Sequence, residues 1–303
     1  MAVIQTGAHP KALWPGVKAW FGMKYNEHPL ECTSLFDWES SSKNYEEDVE
    51  TTSFGLAPIK AQGAALIYDG HSQGGTARYT HVAYALGYIV TKEEMADNLY
   101  QDKSFKRAEA LAFSMRQTKE NVAANVYNRY ATAGYTGSDG SLLGVTNHPD
   151  AVGGTQSNLA GTAADLSETS LEDMLVQIAG ATNSRGLKIS LMGQKLIVPR
   201  QVMFEAARIL KSTLQNDTAN NAINAVKAGG FLPGGYEVNH YLTDADTWFI
   251  RTNAPRGMIG YTRQAYEFDT DNDFDTKNAR ASAYERYSVG WTDWRGLYIT
   301  AGA

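Results

Sequence analysis

The run with the spacing of a catalytic motif is Gly70-His71-Ser72-Gln73-Gly74, a G-x-S-x-G pattern. In α/β-hydrolases such a serine stands on a strained turn from strand into helix, and the helix N-terminus helps to hold the oxyanion. Here Ser72 leads instead into Val82, Tyr84, Leu86, Tyr88 and Val90, whose period of two predicts a strand. A triad would also need a late histidine, and the candidate, His240, sits in a strand-like run. A serine hydrolase using Ser72 is therefore the rival reading, and a glycine-rich hairpin tip the preferred one. A second cluster, Asp269, Asp271, Asp273 and Asp275, alternates like the oxygen ligands of a calcium loop. Counted from Asp269, positions six and twelve are Phe274 and Arg280; counted from Asp271 they are Thr276 and Ser282. Glycine and a bidentate glutamate are required there, so an EF-hand is excluded. A solvated acidic turn and a cation held between subunits both remain open.

The histidines at 9, 28, 71, 81, 148 and 240 form no HxH or HxxxH pair, and no G-x-x-x-x-G-K phosphate loop occurs. No catalytic residue, metal site or cofactor is expected. The single cysteine, Cys32, rules out an intrachain disulfide framework and reads as a small buried hydrophobe. A net charge of −6 without a basic run argues against direct duplex recognition through phosphates, though a container that must not stick to its nucleic acid would fit. No window reaches eighteen apolar residues and the N-terminus lacks an apolar core, so a soluble, unexported protein is expected. With 303 residues, 43% of them hydrophobic, the chain can bury a sizeable core. Its 28 glycines and 17 tyrosines suit sheets, tight turns and subunit contacts.

The element that must organise these residues is the longest helical pattern, from Asp102 to about Ala131. Phe105, Ala108, Leu111, Ala112, Met115, Val122, Val126 and Tyr130 make one stripe, with a seven-residue step across the polar stretch around Thr118. Lys103, Lys106, Arg107, Glu109, Arg116, Lys119 and Glu120 are assigned to the opposite, solvent face. At 1.5 Å per residue such a helix is a rod of roughly 45 Å, long enough to act as a spine under a sheet.

Before it, residues 1–45 are poorly periodic and carry Trp14, Trp20, Phe21, Tyr25, Phe36 and Trp38. They read as an extended arm lying across another copy, or as a partly ordered leader with a short helix near Lys11–Phe21. Ala64, Leu66 and Tyr68 alternate briefly, which predicts a hairpin with Val82–Val90 and a tip at Asp69–Gly75. Thr91 opens a short helix with Glu94 in capping-box position. After the spine come a helix capped by Ser170, a strand over Leu187–Val198, and a helix from Pro199 to about Leu214. An exposed loop follows over Asn216–Gly235, and Tyr236–Thr252 is strand with a turn at Asp244–Asp246. A second hairpin, Met258–Phe268 and Ala279–Val289, has DTDNDFDTK at its tip, and Trp291–Ile299 ends the chain as a strand. Helices and strands are segregated, so the class is α+β.

This order of parts resembles the major capsid protein of tailed bacteriophages, the Hong Kong 97 fold. Two stretches sharpen the likeness: DGSLLGVTNHP after the spine is similar to that family's turn, and GWTDWRGLYIT resembles its usual chain end. The resemblance implies an N-terminal arm (1–45), an extended hairpin loop with the short capped helix (46–100) and a spine helix with peripheral domain (101–165). It further implies an axial domain (166–256), a peripheral return hairpin (257–289) and a terminal strand joining the axial domain (290–303). It implies a structural protein, not an enzyme, assembling as pentamers and hexamers into an icosahedral shell that encloses double-stranded DNA without reading its sequence. A scaffolding protein and a portal would be partners, and an encapsulin-like nanocompartment shell shares the fold. The second hairpin would lie near three-fold contacts, so Asp269, Asp271, Asp273, Asp275 and Arg280, with Trp14 and Trp20 of the arm, are the candidate subunit contacts. Some members crosslink a loop lysine to an asparagine; Lys60 is near the hairpin, but no matching motif accompanies it, so no crosslink is expected. The chain begins without a heptad-rich scaffolding segment, which implies a separate scaffold or a start after cleavage.

Overall fold

A computed structural model describes residues 14–27, 29–96, 100–151, 153–215 and 222–303. In chain order the elements are α1 (Trp14–Tyr25), α2 (Cys32–Leu35), β1 (Asp37–Ser40), β2 (Tyr45–Thr51), β3 (Gln73–Thr80), β4 (Val82–Val90), α3 (Lys92–Ala96) and α4 (Tyr100–Asn128). Then follow β5 (His148–Pro149), β6 (Thr155–Gln156), α5 (Glu168–Ala179), β7 (Gly193–Pro199), α6 (Met203–Lys211), α7 (Ala225–Gly229), β8 (Tyr236–Asn239) and β9 (Trp248–Thr252). The last are β10 (Met258–Asn272), β11 (Ala279–Trp291) and β12 (Leu297–Thr300).

Two four-stranded sheets lean on the spine α4. The first has the order β1-β10-β11-β4 and the second β12-β9-β7-β8. In the first, β11 turns Ala279, Ala281 and Ala283 inward at period two, and these small side chains let α1 and α4 lie close above the sheet. Val17, Phe21 and Tyr25 of α1 and Ala108, Leu111, Ala112 and Met115 of α4 complete that core. The second sheet is covered on both faces, as its near-continuous apolar strands require. Leu196, Val198 and Ile250 face α5, α6 and α7, whereas Ile197, Phe249, Leu297 and Ile299 pack with Ala123 and Tyr127 of α4 and with Cys32, Leu35 and Phe36.

Several elements depart from the sequence reading. The first hairpin is formed by β2 and β3, paired from Tyr45↔Thr80 to Thr51↔Gln73, while β4 pairs with β11 instead. Ala64–Tyr68 forms no strand, because an alternating run is only half of a ladder and these residues meet no partner edge in their own chain. Ser72 consequently lies at the mouth of an exposed loop over residues 52–72, not at a hairpin tip. The arm also folds back on its own chain: Phe21 is 0%, Tyr25 4% and Phe36 1% exposed. The side chain of Trp14 and the residues His9 and His28 lie outside the described positions.

On the spine, Arg116, Lys119 and Glu120 are buried instead of facing solvent, and the apolar stripe resumes at Ala123, Ala124 and Tyr127. The cap of α5 is Ser167, with Ser170 as its reciprocal partner one turn in. β10 runs through Asp269 and Asp271 to Asn272, which leaves only Asp273 and Asp275 in the turn. The terminal strand is broken by a 3₁₀ turn at Trp294–Gly296, capped by Asp293. Thr91 does cap its helix, its hydroxyl accepting from Glu94 N–H at 3.3 Å.

Candidate assembly surfaces

The serine motif has no hydrolase geometry. Ser72 N–H donates to Thr52 Oγ1 at 2.8 Å, and the two hydroxyls lie 3.2 Å apart, so the residue closes the neck of the loop. No helix follows it; β3 begins at Gln73. His240 is held elsewhere, its Nδ1 2.6 Å from Glu31 Oε1. Among the described residues no three His, Cys, Asp or Glu side chains are grouped to hold a metal ion. No described helix is long and apolar enough to cross a membrane.

The acidic hairpin divides into two environments. Asp269 and Asp271 stand on the outer face of the first sheet, opposite Ser282 and Arg280 in register. Asp273 closes the turn: it accepts the Thr276 hydroxyl at 2.8 Å and pairs with Arg280 of its own chain. The Thr276 hydroxyl, then the Asp275 N–H and the charges of Arg280 and Lys277, hold the Asp273 carboxyl below its ordinary value. Phe274 projects at 82% exposure with the Lys277 ammonium 3.9 Å from its ring centre. Of the arm tryptophans, Trp20 is partly buried, its ring edge-on to Phe105 at 5.6 Å with the Lys24 ammonium at 5.3 Å.

A buried charged seam, hidden from sequence reasoning, ties arm to body. Lys119 of α4 pairs with Glu285 of β11, at 10% and 2% side-chain exposure. The Tyr25 hydroxyl donates to the other Glu285 oxygen at 3.0 Å, and Arg116 donates to the Tyr25 carbonyl. The Lys119 ammonium also faces the rings of Trp38 and Tyr287 at 4.9 and 5.1 Å. Next to Lys119 in the chain, Glu120 accepts the Cys32 N–H at 2.8 Å. Burial raises the Glu120 carboxyl above its usual range against that bond, and burial, then the nearby Glu120 charge, pushes the Cys32 thiol up to about 12. The signal present in the sequence was the seven-residue gap in the spine's apolar stripe.

The two stretches that carried the resemblance meet in space. The His148 ring stacks on Trp294 at 4.2 Å and bonds Asp139 at 2.7 Å. Asn158 Nδ2 donates to the carbonyls of Leu143 at 2.6 Å and Leu297 at 3.0 Å. Burial works to raise the Asp139 carboxyl, but the bonds from His148 and Ser141 N–H outweigh it and hold the group low. This junction fixes the turn after the spine against the chain end.

Unpaired apolar surface is concentrated in the loop: Leu56 is 81%, Ile59 101%, Ile67 73% and Tyr68 90% exposed. Monomeric proteins rarely leave such clusters bare. A second apolar surface is a groove of about 660 Å³ between α5 and α7, with Leu175, Val176, Met192 and Phe231 on its walls.

These surfaces belong to a known architecture. The chain is similar to a solved structure from Microbacterium phage Oxtober96, with a TM-score of 0.54, 10% identity, and 91% of this chain and 92% of that one covered. The procapsid of bacteriophage JBD30 gives 0.52 at 15% identity, covering 99% and 77% of the two chains. A virus-like particle from Pyrococcus furiosus gives 0.53 at 10% identity, covering 95% and 99%. At these identities the likeness establishes the fold, which is that of Hong Kong 97-type capsid proteins. No curated protein matches by sequence. The model of the phage capsid protein family matches residues 75–300, which takes in most of β3, all of β4 to β12, and so every strand of both large sheets except β1. The chain thus belongs to the phage capsid protein family and is a structural shell protein of the virion.

Proposed function

We propose that this chain is the major head protein of a tailed phage, forming pentamers and hexamers that close into an icosahedral shell around double-stranded DNA. The observation that carries the reading is the family match over residues 75–300. The charge balance supports it: a shell of net −6 subunits contains DNA without clinging to it. Assembly takes place in the bacterial host cytoplasm, with a scaffolding protein and a portal as partners, and the chain has no catalytic role. We assign residues 1–45 to the arm, 46–100 to the extended loop and capped helix, and 101–165 with 257–289 to the peripheral domain. Residues 166–256 make the axial domain, joined by 290–303.

In this reading loop and arm make heterologous contacts that propagate around a ring. Asp269, Asp271, Asp273 and Asp275, with Arg280, meet their counterparts at three-fold positions, where arginines or a cation offset their repulsion. Trp14 and Trp20 contribute contacts from the arm. The test is nuclease protection of particles carrying this chain. Double-stranded DNA of uniform length inside them supports the head reading, whereas a protein cargo without DNA would support an encapsulin-like compartment and overturn it.

A further inference from the structure

The neck of the 52–72 loop is tied to a distant part of the chain by one residue. Arg185 sits in the turn after α5, and that turn is rigid. Asn183 Oδ1 accepts from both Arg185 N–H and Leu187 N–H at 2.9 Å, Asn183 N–H donates to Leu187 O at 2.7 Å, and Gly186 takes a positive φ of 77°. Arg295 anchors the same turn from below, its Nε donating to Thr182 O at 2.8 Å.

From this platform the Arg185 guanidinium reaches both limbs of the loop. Nη1 donates to Ser53 O at 3.1 Å on the outgoing limb, and to Asp69 Oδ2 at 2.8 Å and Gly70 O at 3.2 Å on the returning limb. Nη2 donates to Asp69 Oδ1 at 3.3 Å. Asp69 in turn accepts Gly55 N–H at 2.7 Å, which closes the neck across the two limbs. A forked cation can hold one carboxylate and two carbonyls at once; an ammonium cannot reproduce that geometry. Beyond the neck, residues 54–68 run out to a turn closed by Ala64 N–H on Ala61 O at 3.1 Å, with Gly63 at φ 78°. Seven or eight extended residues reach roughly 25 Å. That excursion carries Phe54, Leu56, Ile59, Leu66, Ile67 and Tyr68, all at least 57% exposed.

We propose that Arg185 is a positioning residue for assembly: it fixes the direction of the extended loop before capsomers form, so that the apolar face of residues 54–68 is presented to a second copy of this chain. The proposal rests on the shell reading above. An unpinned loop of this length would sample many directions, and the ordering entropy would fall on the assembly step. A pinned loop meets its neighbour pre-organised.

The test compares wild type with Arg185→Ala, Arg185→Lys and Asp69→Asn in the full chain. Three readouts are taken: trypsin cleavage after the exposed Lys60 in unassembled protein, the sedimenting shell fraction, and the melting temperature. Arg185→Ala should speed cleavage on the order of five-fold and cut the shell fraction, with the melting temperature unchanged. Arg185→Lys should fall between Ala and wild type. Should Arg185→Ala unfold the turn itself, Asp69→Asn, on the loop side, gives the same comparison. Wild-type cleavage rates and shell yields in both Arg185→Ala and Asp69→Asn would overturn the proposal. If wild type itself forms no shells, the shell reading fails, and the cleavage rates alone still decide whether Arg185 pins the loop.

Discussion

Replacing Lys119 by methionine keeps the bulk of the side chain and removes its charge, leaving the Glu285 carboxylate at 2% exposure with the Tyr25 hydroxyl as its remaining hydrogen-bond donor. Breaking one side of a buried ion pair costs about 3–5 kcal/mol, because the survivor stays desolvated without compensation. The ammonium's contact with the Trp38 and Tyr287 rings is lost in the same step. For a chain of this size each kcal/mol moves the melting temperature by about 2–4 °C, so Lys119→Met should lower it by roughly 6–20 °C. The double variant Lys119→Met with Glu285→Leu removes both charges and should recover most of the loss, since apolar substitutes for a buried pair are often neutral or better. Urea denaturation of the unassembled protein, carried through the four-member cycle, measures the coupling directly. A single-variant loss under about 1 kcal/mol, or a double variant no better than the sum of its parts, would refute the idea that this pair locks the arm to the spine.

Ser72→Ala should leave folding, assembly and any hydrolytic background unchanged within about 0.5 kcal/mol, because the serine only closes a loop neck; an esterase activity lost on this change would contradict that role. Burial raises the pKa of Glu120 in the folded state, so the folded protein binds more protons than the unfolded chain in the window above the ordinary glutamate range. Its contribution to stability is greatest on the acid side and is lost as pH rises through that window, and Glu120→Gln should flatten this part of the stability–pH curve; an unchanged curve counts against it. Changing Asp269, Asp271, Asp273 and Asp275 together to asparagine should lower the melting temperature of the shell, and added salt should weaken wild type more than the variant. Calorimetry at two salt concentrations checks this, and an equal or higher melting temperature in the variant sinks the compensated three-fold contact.

What could be read from the sequence was whatever is local. The absence of glycine and proline after Asp102 places the spine, and the helix is found over Tyr100–Asn128. The alternations at Met258–Phe268 and Ala279–Val289 reappear as paired strands. Failures arose where the partner is far along the chain. Arg116 and Glu120 look solvent-facing beside Lys119 until Tyr25 and Cys32, 91 and 88 residues away, and Glu285 close over them. Ala64–Tyr68 has the alternation of a strand, but a strand needs an edge to pair with. The arm's aromatics looked homeless because the alanine face of β11 that receives α1 lies at the other end of the chain. Arg185 had no signal at all: a single arginine in an Asn-Ser-Gly turn gives no hint of a carboxylate 116 residues earlier.

The central claim, that this chain builds a closed shell by heterologous contacts, is tested most directly by cryo-electron microscopy of the purified protein. The account predicts pentamers and hexamers closed into icosahedral particles, with residues 54–68 of each copy lying against its neighbour. A monomer at every concentration and salt tried, together with phage particles that lack this chain, would contradict it.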